Sequence, residues 1–139
     1  MRIGLALPAF VPLAWLMAAP STQDLRLALS LGEALPTAGT PIVLELAATN
    51  DGEAPLVLDF PDGQRYDFEV FSEDGASVWR WAEGMFFTMM LGRERLDPGT
   101  SLRWVERIED GLPAGVYRVV ATLTTVEPHT IEGTLTVLQ

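Results

Sequence analysis

The chain reads as an all-β protein, a single antiparallel sandwich of about eight strands. Three observations predict this. Apolar residues recur at every second position in short runs, the period of half-buried strands. Gly, Pro, Asn and Asp separate the runs at spacings of about 8–14 residues, as in an all-β fold. No segment keeps a 3.6-residue period over three turns.

The strands follow in order. Asp24 to Leu31 carries leucine at positions 25, 27, 29 and 31. Pro36 to Gly39 turns the chain into Ile42–Thr49, and Asn50-Asp51-Gly52 closes that run with turn chemistry. Pro55 to Phe60 puts Leu56, Leu58 and Phe60 on one face. After Pro61-Asp62-Gly63-Gln64, Arg65 to Phe71 sets Tyr66, Phe68 and Val70 against Asp67 and Glu69. Glu73-Asp74-Gly75 leads into Ser77–Trp81. Beyond Gly84 lies an apolar run, Met85 to Leu91, and then a loop at Leu96-Asp97-Pro98-Gly99. Ser101 to Ile108 is a strand with Leu102, Trp104 and Ile108 in phase. Val116 to Thr124 follows, with Tyr117, Val119, Ala121 and Leu123 on one face. The last strand is Thr130 to Leu138, where Gly133 should weaken pairing or mark a bulge. Leu112-Pro113-Ala114-Gly115-Val116-Tyr117 has the form of a tyrosine corner, a Tyr bonded back to upstream backbone where the chain crosses between sheets.

The first residues stand apart. Met1-Arg2 is a basic start, Ile3 to Ala19 is uncharged and strongly apolar, and small residues follow at Ala18-Ala19-Pro20-Ser21. That order predicts a signal peptide over 1–21, cleaved to leave a domain at 22–139. The alternative is an uncleaved membrane anchor, interrupted by Pro8 and Pro12. The expected location is therefore the periplasm or the exterior.

Composition removes several functions. With no cysteine and one histidine, thiol chemistry, Cys/His zinc sites and disulfides are excluded. A net charge of −10, with all nine basic residues arginine, argues against nucleic acid and anionic lipid as partners. His129 lies in a Glu127-Pro128-His129 turn, with no nucleophile elbow or phosphate-binding glycine loop elsewhere. The acidic pairs Glu73-Asp74 and Glu109-Asp110 read as solvated turns. No catalytic residue, metal ligand or cofactor is expected.

The stretch from Val78 to Leu91 carries the most information. Trp79 and Trp81 share a face if extended, and Gly84 permits a bend. Met85, Phe86, Phe87, Met89, Met90 and Leu91 cannot all face one core, because alternate residues of a strand point opposite ways. Two arrangements satisfy this: a central strand or bent connection buried on both faces, or an exposed apolar patch of the residue types enriched at interfaces. A third reading makes Trp79 and Trp81 a stacking platform for sugar rings.

The block Pro55 to Val70, with Gly63-Gln64-Arg65-Tyr66-Asp67-Phe68 at its centre, resembles the BsuPI-type intracellular proteinase inhibitor family. The likeness continues through Gly75, Val78-Trp79-Arg80-Trp81, Gly84-Met85-Phe86-Phe87, Leu96-Asp97-Pro98-Gly99 and Leu112 to Tyr117. It implies a single Ig-like β-sandwich that inhibits a bacterial proteinase; the chain is expected to be a monomer and not an enzyme. An export signal departs from the family's intracellular name and points to an envelope or secreted proteinase. The expectation is occlusion of a proteinase cleft, with Trp81, Met85, Phe86, Phe87 and Met89 as candidate partner-binding residues. The alternative is a structural or adhesive envelope module, pairing through an edge such as the Thr-rich last strand.

Overall fold

The computed structural model describes residues 24–139. The expected signal segment, 1–21, lies outside the described residues. Nine strands form: β1 (Leu25–Ser30), β2 (Ile42–Asn50), β3 (Leu56–Phe60), β4 (Tyr66–Ser72), β5 (Ser77–Arg80), β6 (Gly92–Leu96), β7 (Ser101–Ile108), β8 (Gly115–Leu123) and β9 (His129–Val137). They make a three-stranded sheet β1-β2-β7, a four-stranded sheet β5-β4-β8-β9 and a two-stranded ribbon β3-β6. Neighbouring strands within these sheets are antiparallel.

The period-two pattern of the sequence is the cause of this layering. Leu44 and Leu46 of β2, Phe68 and Val70 of β4, and Val119 and Ala121 of β8 all point into one core between the two larger sheets. Each large apolar side chain sealed there contributes roughly 1.5–3 kcal/mol. A second core lies beneath the ribbon, where Leu56, Leu58, Phe60 and Leu96 meet Ala48 and Leu123. Asn50 joins the pieces. Its side chain is fully buried, donates to the carbonyls of Ala54 (2.8 Å) and Leu96 (2.9 Å), and accepts from Gly52 N–H (2.9 Å).

The tyrosine corner forms as expected. The Tyr117 hydroxyl donates to the Pro113 carbonyl at 2.7 Å, tying the start of β8 to the chain before it. Three expectations change. A ninth strand, β6, occupies Gly92–Leu96, a stretch that the sequence pattern leaves without an element. His129 opens β9 instead of lying in the turn before it. Gly133 marks no bulge: it pairs with Val119 in unbroken register. Its missing side chain instead lets β1 approach, since a Cβ there would stand 3.3 Å from Leu31 and 3.4 Å from Leu29.

Candidate functional site

The apolar stretch after β5 is neither a central strand nor a buried connection. It is a loop that leaves β5 of the four-stranded sheet and enters β6 of the ribbon, and most of its large side chains face solvent. Phe86 is 97% exposed, Met89 89% and Leu91 82%; Met90 is exposed, and Met85 is nearly half so. Phe87 alone turns inward among the apolar residues from Met85 onward.

The loop is nonetheless held at its beginning, middle and end. At its beginning, Asp67 is the anchor. Although it sits on the outward face of β4, it is only 6% exposed. Its carboxylate accepts from Phe68 N–H (2.9 Å), Arg80 Nε (2.7 Å) and Ala82 N–H (3.1 Å). The hydrogen bond and charge of Asp67 raise the Arg80 guanidinium further above its ordinary pKa. Trp81 N–H donates to the Phe68 carbonyl at 2.9 Å, which extends the β4–β5 pairing by one rung.

In its middle the loop rests on a column of aromatic rings. Trp104 of β7 stacks on Tyr66 of β4 at 5.4 Å between centroids, Tyr66 on Trp81 at 4.3 Å, and Trp81 meets Phe87 at 5.9 Å. The column crosses from the three-stranded sheet to the surface. Offset and tilted aromatic pairs of this kind are each worth about 0.5–1.5 kcal/mol beyond their burial. The Tyr66 hydroxyl donates to Glu106 of β7. Burial, then that hydrogen bond and the Glu106 charge, push the phenol far above its ordinary value of 10.0.

Toward its end, the Thr88 carbonyl accepts from Gly63 N–H at 2.8 Å. Gly63 is required by this approach, because a Cβ there would collide with the Thr88 hydroxyl. Gly84 supplies the bend that starts the apolar run, with φ of 78°, a conformation that favours glycine. Arg65 closes the frame. It pairs with Glu94 of β6 at 3.0 Å, donates to the Asp62 carbonyl at 3.0 Å and lies 4.5 Å over the Phe60 ring.

Of the five candidate binding residues, the structure brings Trp81, Met85, Phe86, Phe87 and Met89 into one loop but divides them by orientation. Met85, Phe86 and Met89 face solvent, while Trp81 and Phe87 pack inward. Trp79 and Trp81 are both partly buried against the main core, and Trp81 also meets the rings of Tyr66 and Phe87, so the two do not form one open stacking platform. Sequence reasoning missed Asp67, Tyr66 and Gly63 as supports of the loop. The signal was present, since the Tyr66-Asp67 and Arg80-Trp81 pairs of the quoted motifs are the residues that interlock. An open depression lined by Ser72, Tyr117, Arg118 and Glu132 shares no residue with the loop. Within it Arg118 lies 3.5 Å from Glu132.

Residues 29–128 match the family described as BsuPI, intracellular proteinase inhibitor. No curated protein matches the chain. Among solved structures it is similar to Spo0M, a sporulation control protein from Bacillus subtilis, at 13% identity over 84% of this chain and 50% of that one, with a TM-score of 0.55. The chain thus spans about half the length of that protein. It is also similar to the CARDB domain of the PF1109 protein from Pyrococcus furiosus, at 14% identity over 83% of this chain and 93% of that one, with a TM-score of 0.47. The ApaA protein from Bordetella pertussis is similar at 14% identity over 82% and 94% of the two chains, with a TM-score of 0.47. The strand order and the Bacillus subtilis neighbour agree with the expected Ig-like β-sandwich.

Proposed function

The chain belongs to the BsuPI family of intracellular proteinase inhibitors, and from that premise we propose that it binds a proteinase through the loop of residues 81–91 and blocks the active-site cleft. One observation carries the choice of loop: a run of large apolar side chains stands in solvent on a backbone pinned by Asp67, Trp81 and Gly63. Exposed apolar patches of this kind mark interaction surfaces. A segment already ordered in the free protein loses little conformational freedom on docking, and so gains affinity. The mechanism is occlusion, with an interface of standard size, about 1,600 Å² in total.

The target acts in the envelope or outside the cell. Support for this comes from the basic start and uncharged run of residues 1–21, which have the form of an export signal. The experiment adds the purified protein to envelope and secreted fractions of the source organism and follows casein hydrolysis. The expected result is a dose-dependent loss of proteolysis, weakened by Phe86→Ser with no change in the melting temperature. Folded protein that leaves every fraction's proteolysis unchanged removes the reading.

A further inference from the structure

We infer that Phe86 is the side chain that fills the proteinase's primary specificity pocket, and that the partner is a proteinase cleaving after large apolar residues. This rests on the reading that the loop enters the cleft, and it names the class of enzyme the loop fits.

A primary pocket admits one side chain. That side chain must project free of its own scaffold while residues on either side of it hold the backbone in place. Residues 85–88 meet these conditions. They form no helix, strand or turn. Phe86 is 97% exposed, the highest value among the exposed large apolar residues. The residue after it, Phe87, is drawn inward onto Trp81 at 5.9 Å. On one side Met85 N–H donates to the Ala82 carbonyl at 3.0 Å, and on the other the Thr88 carbonyl accepts from Gly63 N–H at 2.8 Å. The 86–87 peptide bond is therefore bracketed by held residues, with one free ring between them.

The chemistry of the ring and its surroundings selects the pocket. Residues 84–92 carry no charge. A pocket with a carboxylate at its base, built for arginine or lysine, would find no cation there, and its buried charge would go unpaired. A small pocket would not admit a phenyl ring. A wide apolar slot fits, as in proteinases that cleave after aromatic residues. Met89, Met90 and Leu91 lie beyond the bracket and add apolar contact at the rim, where flexible thioethers adapt to an uneven surface.

The experiment exchanges the specificity. Fractions of the source organism are assayed with two reporter peptides, one cleaved after phenylalanine and one after arginine, against the wild-type protein, Phe86→Ala and Phe86→Arg. The side chain touches solvent alone, so both variants keep the wild-type melting temperature. Wild type is expected to suppress the phenylalanine activity. Phe86→Ala should lose affinity for it by about 30-fold or more, the scale of a central anchor residue. Phe86→Arg should lose it as well and gain suppression of the arginine activity. Wild-type suppression that both variants retain in full would overturn the assignment of Phe86 while leaving the inhibitor reading intact. Wild type that suppresses neither peptide activity nor casein hydrolysis would overturn both.

Discussion

Replacing Asp67 by alanine tests whether the loop is held by its anchors or merely lies over the sheet. Three donors converge on the carboxylate: Phe68 N–H, Arg80 Nε and Ala82 N–H. The ion pair itself is worth little, since the Arg80 side chain is half exposed and the released guanidinium hydrates; we assign it below about 1 kcal/mol. The two amides are different. Each loses its partner where water has poor access, at about 1–1.5 kcal/mol apiece. The total is about 3 kcal/mol, which for a domain of this size lowers the melting temperature by about 10 °C. Asp67→Asn keeps the volume and the Oδ1 oxygen that accepts from both amides, so it should cost only the ion pair, below about 1 kcal/mol. The loss should also be local. Hydrogen exchange of the amides from Ala82 to Leu91 should accelerate more than that of β2 or β8, because the loop is released before the sheets part. Proteinase affinity should fall with it, although Asp67 is too buried to touch a partner. An Asp67→Ala protein that melts within about 3 °C of wild type, with its loop amides equally protected, would refute the anchoring argument.

Other outcomes follow from the same geometry. Tyr117→Phe removes the hydroxyl that donates to the Pro113 carbonyl and should cost about 1.5 kcal/mol in urea unfolding, with no change in proteinase affinity. Tyr66 gives a pH dependence of known sign. Its folded pKa lies above the ordinary 10.0, so the native state holds the proton longer than the unfolded chain, and this contribution is complete below pH 10.0 and lost as pH rises beyond it. Thermal melts should therefore drop more steeply above that pH in wild type than in Tyr66→Phe. Peroxide should add oxygen to Met85, Met89 and Met90, the three methionines among the described residues, and thereby make the apolar loop polar. Mass spectrometry should locate the oxygen there, and proteinase affinity should fall while the melting temperature holds.

Much of the fold was legible because each inward face repeats apolar residues at period two. Leu56, Leu58 and Phe60 of β3, and Tyr117 to Leu123 of β8, point as their alternation requires. Strand β6 was hidden for a physical reason. Its inward positions are Gly92, Glu94 and Leu96, and Glu94 is paired with Arg65. One apolar residue in three shows no period. The loop was ambiguous for the opposite reason. Hydrophobicity ordinarily reports burial, and the run from Met85 to Leu91 is hydrophobic except at Thr88. Its exposure is decided by contacts distant in sequence: Gly63 with Thr88, Tyr66 with Trp81, and Asp67 with Ala82. The motifs held Asp67 and Arg80, but not the burial of Asp67, which depends on the chain after Arg80 bringing Ala82 N–H onto its carboxylate.

The loop joins a strand of the four-stranded sheet to a strand of the ribbon, and its aromatic support begins on the three-stranded sheet. Every layer of the protein therefore has to be in place before the apolar side chains are presented. Such long-range contacts carry a loop-closure cost that must be met before they stabilise the chain. An emerging or unfolded chain carries the same residues but lacks the surface they make. The binding surface we propose therefore exists only in the fully assembled fold, which would make assembly itself a latch on binding.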